Sequence, residues 1–591
     1  MNFKHLLKRI LIWRIRHISD RNFVLVLSVV VGVCAGLVAV IIKNSVHFIQ
    51  SLLKDWIASE VESLLYIFYP LVGISLAVLF ARYIVRQHVG HGIPTVLFSI
   101  SKTKGLIRQH NMFSSIVTSA LTVGFGGSVG LEGPTVATGA AIGSNLGRMF
   151  HLNYKQIILL VGCACTGAMA AIFKAPVAAI VFALEVIMLD LTMVSLVPLL
   201  LASVTAVLTS FLLLGQNILY PVDISAAFQM REVPLFIILG VFSGLLSVYF
   251  TKMYMYIGRV FALIKTRGGK LFAGGLVLGL LIFLMPSLYG EGYDVINSAL
   301  SGNADYLFND TVYEVVRSNF WAIISMFVAV LLAKVVATSV TFGAGGVGGI
   351  FAPALFLGAN LGLMFAFVAN QLGYDVSVTN FALVGMAGAI AGIIHAPLTS
   401  IFLIAEITGG YQLFIPLMIV STISYVTVKL FTTNSVYTMQ LAKRGQLMTH
   451  HKDKAMLSML HVDELVETNF RKLHNDDKLK DVVNAVANSK RNIFPVLDAE
   501  NTLVGIVVLD DIRDILFKPE LYDKLSVKEL MISPTPFLVS LDESMEVVAE
   551  KFQRTGNFNL PVVDHGKYVG FVSRAKVFSH YRRMLKRFSD D

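Results

Sequence analysis

The sequence predicts a polytopic α-helical membrane protein with an internal repeat and discontinuous helices, followed by a C-terminal α/β domain. Three observations predict it. Of 591 residues 55% are hydrophobic and 15% are charged, whereas a soluble domain carries roughly 25% charged residues. Apolar runs approach or reach spanning length at Phe23–Ile42, Leu65–Val85, Leu191–Leu214, Leu235–Phe250, Leu271–Pro286 and Leu413–Phe431. Runs of that length favour helices over a barrel, and those that are short or broken by Gly or Pro read as re-entrant or discontinuous helices. Beyond Met448 charged residues become frequent and apolar runs shrink to strand length.

Residues 1–21 read as a basic amphipathic helix on the cytoplasmic surface, carrying Lys4, Lys8, Arg9, Arg14, Arg16 and Arg21. The basic region is long and the first apolar run is of spanning length, so this is no cleavable signal peptide. The positive-inside rule puts the N-terminus in the cytoplasm. The expected location is the cell membrane, plasma or inner, with many passes and both termini cytoplasmic. Residues 22–448 read as the membrane domain, in two repeats of about 22–215 and 233–448. The boundary lies at Thr449-His450-His451-Lys452, a solvated linker, and 449–591 is the cytosolic domain. The net charge of +10 clusters at apparent membrane ends. No aromatic residues interleave with it, which excludes nucleic acid as a partner and leaves the lipid bilayer. Cys34, Cys163 and Cys165 all lie in apolar sequence. An odd number of cysteines in that setting argues against a disulfide framework or a metal site. No nucleophile–base pair, Walker loop or metal constellation appears, so an enzyme is disfavoured.

The repeat is explicit. Ala175-Pro176 leads to Glu185, and Ala396-Pro397 leads to Glu406, at the same offset. Upstream, Phe125-Gly126…Gly130-Leu131-Glu132-Gly133-Pro134 matches Phe342-Gly343…Gly349-Ile350-Phe351-Ala352-Pro353. Two halves built alike, with the site where they meet, are the architecture of many transporters, commonly in inverted sense. The residues alone leave the relative sense of the halves open. Each glycine-rich turn precedes a helix-like run, Thr135–Phe150 or Ala354–Ala369. Such a turn presents unpaired N–H groups at the positive end of a helix dipole, which is an anion site. Gly90-His91-Gly92-Ile93-Pro94 has the same form. Three such turns aimed at one place bind an anion without Lys or Arg, and so without holding it too tightly to conduct. Glu132 puts a carboxylate inside one of these turns, and a charge at membrane depth marks a functional site.

With these residues in view, the chain resembles the CLC family of chloride channels and chloride/proton antiporters along nearly its whole length. The resemblance rests on Gly90–Pro94, Gly130–Pro134, Gly349–Pro353 and Ser435-Val436-Tyr437-Thr438. It implies a homodimer with one pathway for chloride or related anions in each subunit. Glu132 would be the gating glutamate, in an anion site when charged and out of it when protonated. His91, Gly92, Ile93, Gly130, Gly133, Ile350, Phe351 and Tyr437 would line the anion's path, Ile350 and Phe351 through backbone N–H groups and Tyr437 through its hydroxyl. The family usually has Ser at His91 and often Lys or Arg at Leu131. The antiporters have a second, inner glutamate just after the position of Glu185, and here it is Val186, which cannot carry a proton. Glu185 and Glu406, at matched offsets, instead suggest a shared structural role in closing the ends of paired helices.

The C-terminal region resembles a pair of CBS modules, about 465–520 and 528–590. Ile493–Leu497 and Val504–Val508 repeat as Asn559–Val563 and Val569–Ser573, each pair flanked by helix-like patterns. Alternating strands and helices suggest a small α/β sandwich. The resemblance suggests an adenine nucleotide as ligand, with Asp511 and Ser573 at the matching positions; Val508 and Lys576 depart from the pattern. With those departures a purely structural dimerising module is favoured over nucleotide binding.

The sequence thus favours a passive, voltage- or pH-gated anion channel with a CBS regulatory domain. The rival readings are a chloride/proton antiporter on the same fold, a fluoride exporter suggested by His91, and a nucleotide sensor with a membrane anchor.

Overall fold

In a computed structural model, residues 14, 16–55, 67–87, 89–90, 92–187, 193–215, 228–308, 319–443, 460–533 and 538–589 are described. The chain forms two compact units, Met1–Leu447 and Met448–Asp591. The expected N-terminal helix over 1–21 and the linker at 449–452 lie largely or wholly outside the described residues, as do His88 and His91.

The first unit is helical. In chain order it holds α1 (Asp20–Asp55), α2 (Tyr69–Leu79), α3 (Ile93–Lys102), α4 (Asn111–Gly124), α5 (Glu132–Met149), α6 (Tyr154–Phe173), α7 (Pro176–Glu185), α8 (Met193–Leu214) and α9 (Val233–Leu263). There follow α10 (Arg267–Leu284), α11 (Tyr293–Leu300), α12 (Phe320–Ala344), α13 (Phe351–Gln371), α14 (Val378–Ile394), α15 (Pro397–Ile407), α16 (Phe414–Lys429) and α17 (Val436–Lys443). Among the described residues seven helices are long and apolar enough to cross a membrane. Helices α2, α3, α7, α14, α15 and α16 are apolar but shorter, the mark of discontinuous elements.

The two halves repeat one set of backbone devices. Helix α6 ends on Lys174 in the left-handed conformation (φ 57°) and α14 ends on His395 likewise (φ 62°). Ala175 and Ala396 then leave the helical region (φ −126°, ψ 83° and φ −131°, ψ 72°), because a following proline disfavours it. Pro176 and Pro397 start α7 and α15 at the position where a missing N–H is no loss. Helix α5 packs on α6 through Gly139 and Gly143, and α13 packs on α14 through Gly358 and Gly362. A Cβ at Gly143 would lie 2.5 Å from the Leu160 carbonyl oxygen, and one at Gly362 would lie 2.0 Å from that of Phe381. Small residues let membrane helices approach this closely.

The halves are inverted. The Glu185 carboxylate, at the end of α7, accepts from the backbone N–H groups of Leu398 (3.1 Å) and Thr399 (2.8 Å) and from the Thr399 hydroxyl (2.7 Å). Glu406, at the end of α15, accepts from the N–H groups of Val177 (3.0 Å) and Ala178 (2.8 Å). Each carboxylate satisfies orphan donors in the first turn of the other helix. That exchange requires corresponding helices of the two halves to run antiparallel.

The second unit holds α18 (Val462–Leu465), β1 (Val466–Glu467), β2 (Leu473–His474), α19 (Leu479–Ala487), β3 (Ile493–Leu497), β4 (Leu503–Val508), α20 (Leu509–Ile512), α21 (Val527–Leu530), β5 (Val539–Ser540), α22 (Met545–Thr555), β6 (Asn559–Asp564), β7 (Lys567–Ser573) and α23 (Arg574–Ser589). Its sheets run β2-β3-β4 and β1-β7-β6-β5. The modules share a register: Val496 pairs with Gly505 and Val562 with Gly570, and each ladder shifts at the next residue. Strand β1 lies at the start of the first module yet pairs with β7 of the second, Val466 opposite Val572.

Candidate functional site

The glycine-rich turns of the two halves bind each other. Gly130 N–H donates to the Gly349 carbonyl (2.9 Å) and Gly349 N–H to that of Gly130 (2.6 Å). Only glycine permits this approach: a Cβ at Gly349 would sit 2.7 Å from the Gly133 nitrogen. Side chains brace the turns from the opposite half. Thr341 accepts from Ser128 N–H (3.3 Å), Thr338 donates to the Ser128 carbonyl (2.9 Å), and Thr122 accepts from Val347 N–H (3.2 Å).

This arrangement sets the start of α5 against the start of α13. Helix α3 joins them, since a Cβ on Gly92 (φ 70°) would lie 3.0 Å from Gly133. None of the three helices has a side-chain cap, so their first N–H groups keep the partial positive charge of the dipole end. A cavity of about 10 Å³ lies where they meet, lined by Ile93, Gly133, Tyr254, Phe342, Gly349, Ile350 and Tyr437. Its size suits one water-sized particle, so a halide enters only as the walls give. The Tyr437 hydroxyl is buried with no hydrogen-bond partner among the described residues.

Glu132 is wholly buried in the first turn of α5. The sequence places it in the preceding turn; the helix in fact begins three residues earlier than the expected Thr135, since Pro134 is tolerated in a first turn. Its Oε1 accepts from the Tyr293 hydroxyl of α11 at 2.8 Å. Its Oε2 has no hydrogen-bond partner among the described residues and lies where a Gly130 Cβ would fall, 2.1 Å away.

Of the expected site residues, Ile93, Gly133, Ile350 and Tyr437 line the cavity. Gly92 packs on Gly133, and Gly130 forms the bridge between the halves. Phe351 starts α13, its ring buried against Phe173 and Phe182. Val186 is buried just past α7. Sequence reasoning missed Tyr293, Tyr254 and Phe342, and also the charged residues Glu291, Lys43 and Lys334 behind Glu132. The signal for the last two was available: each is a lone charge in an apolar run.

In the second unit Ser573 donates to Glu467 Oε1 (2.6 Å) and accepts from Lys576 N–H (3.2 Å). Arg491 donates to Glu467 Oε2 (2.6 Å) with its guanidinium 4.8 Å over the Phe470 ring. Burial alone would push the Glu467 carboxyl up, but Ser573, Arg491 and the charge of Lys576 outweigh it and hold it below the usual range. Asp511 is exposed on α20.

Inverted halves, broken helices and one shared site between them define a membrane transport protein. The chain belongs to the CLC family. The family model described as "Voltage gated chloride channel" matches residues 72–429, more than half the chain, and CBS domain models match 462–518 and 527–583. It is 31% identical over 383 residues (63% of this chain, 85% of the relative) to a ClcB-like chloride channel protein, provisionally so named, of Ralstonia nicotianae. It is 29% identical over 422 residues (68% and 86%) to the H(+)/Cl(-) exchange transporter ClcA of Vibrio vulnificus. Its fold matches that of a slow cyanobacterial Cl-/H+ antiporter with a TM-score of 0.63 at 23% identity, covering 72% of this chain and 98% of that one.

Proposed function

We propose that the protein exchanges chloride for protons, with Glu132 carrying the proton and alternating with the anion at the facing helix ends. The observation that carries this is the position of Glu132: a wholly buried carboxylate held by Tyr293 at the N-terminus of α5, beside the cavity. A carboxylate there competes with an anion when charged and yields when protonated. Passive conduction, which the sequence favours through Val186, becomes the second reading. The relatives named as exchangers support proton coupling, although one relative is named a channel. Val186 still supports passive conduction, since Glu185 beside it is committed to the start of α15 and an inner carboxylate relay is not offered at that place. Liposomes loaded with chloride and diluted into low chloride distinguish the two. An exchanger acidifies its lumen as chloride leaves; a channel moves no protons uphill.

Further parts of the reading are a homodimer, both termini cytoplasmic, and chloride preferred over fluoride. For the CBS pair we favour structural dimerisation over an adenine nucleotide. Ser573 already serves Glu467 and the start of α23, so a nucleotide would have to displace those bonds. A rise in the thermal midpoint of the whole protein with millimolar ATP would reverse that preference.

A further inference from the structure

Behind Glu132 stands a second carboxylate. Glu291, in the turn Gly290-Glu291-Gly292 before α11, accepts from the Leu131 N–H at 3.2 Å through Oε1, directly beside the gating residue in sequence. That bond sets it beside Glu132, and the Lys334 ammonium lies 3.6 Å from where a Cβ on the adjoining Gly292 would fall; the charges of Glu132, Lys43 and Lys334 all act on it. Glu132 and Lys334 are wholly buried, and Glu291, Lys43 and Tyr293 are less completely so. Lys43 on α1 donates to the Ile172 carbonyl (2.9 Å). Lys334 on α12 donates to the carbonyls of Gly290 (3.3 Å) and Leu288 (3.4 Å), its ammonium 4.6 Å from the Phe356 ring centroid. Among the described residues the other titratable groups facing the cluster are Tyr293 on Glu132, Tyr437 of α17 near Glu132, and Lys174 near Lys43.

Two carboxylates and two ammonium groups balance in formal charge. Isolated charges in such a setting are expensive, so the set is stable only as a set. An anion arriving at the cavity unbalances it by one negative charge, and uptake of one proton restores it. We propose that Glu291 and Glu132 bind that proton as an interacting pair. The proton comes from bulk water and leaves to it; no other bond is made or broken. The proposal rests on Glu132 as the gate and adds the group that sets when the gate takes its proton. Interacting carboxylates titrate as a pair rather than as two independent sites.

The test is anion flux against external pH in proteoliposomes for wild type, Glu132→Gln, Glu291→Gln and Lys334→Gln. Replacing Glu291 removes the negative neighbour that helps Glu132 hold its proton. The midpoint of the acid activation then moves to lower pH by about one unit, a tenfold change in proton concentration, and the curve sharpens to that of a single site. Lys334 faces Glu291, so its replacement leaves the set one positive charge short, the pair takes its proton more readily, and the midpoint moves the opposite way, to higher pH. It carries the test if Glu291→Gln fails to fold. Profiles for both variants that superimpose on wild type would overturn the pairing. A wild-type profile in Glu132→Gln would overturn the gating role itself, and the pairing with it.

Discussion

Replacing Tyr437 with Phe separates two effects that the structure places on one atom. The hydroxyl is buried without a partner among the described residues. A buried polar group left unsatisfied costs about 1–3 kcal/mol, and a hydrogen bond to a charged group contributes about 1.5–3 kcal/mol. In the absence of a small anion, Tyr437→Phe removes an unsatisfied group and leaves the ring packing intact, so the thermal midpoint holds or rises. With chloride present, the variant lacks a donor to the anion and binds it about 10- to 150-fold more weakly. Ligand that binds the folded state stabilises it by RT ln(1 + [L]/Kd). The chloride concentration giving a fixed rise in midpoint therefore moves up by the same factor. Detergent-solubilised protein, exchanged into a large impermeant anion and titrated with chloride, gives both numbers. A chloride dependence equal to wild type, or a lower midpoint without chloride, would refute the placing of this hydroxyl at the anion.

Glu406→Ala strips the acceptor from two N–H groups at the start of α7 and lowers stability by about 1–2 kcal/mol, read as thermal midpoint, while proton coupling per anion stays the same. Gly349→Ala forces a Cβ to 2.7 Å from the Gly133 nitrogen and abolishes flux in whatever protein folds. The Glu467 carboxyl is held below its usual range by Ser573 and Arg491 despite its burial, so its contribution is full above about pH 4.5 and is lost as pH falls through the lower folded value. Hydrogen–deuterium exchange along β1 and β7 speeds up over that window in wild type, and Glu467→Gln removes the pH step.

Much of this was legible because it depends on local backbone demands. Glycines that must touch, prolines that must begin a helix and the carboxylates at matched offsets each leave a mark at one place in the chain. The role expected for Glu185 and Glu406 is met by the exchange of helix caps between halves, and that exchange also shows the inversion that the residues alone left open. What escaped was assembled from separate elements. Tyr293 reaches Glu132 from α11, and Glu291, Lys43 and Lys334 gather from a turn, α1 and α12; no spacing rule links them. The placing of β1 in the second sheet of the C-terminal unit is of the same kind, since strand partners distant in sequence share no local pattern.

The central claim is that anion movement is tied to a proton on Glu132. The most direct measurement is the reversal potential of the reconstituted protein under a fixed chloride gradient as the pH gradient is varied. Proton exchange predicts a reversal potential that shifts with the pH difference, and a Glu132→Gln variant whose potential does not. A wild-type reversal potential that stays at the chloride equilibrium value at every pH difference would contradict the account.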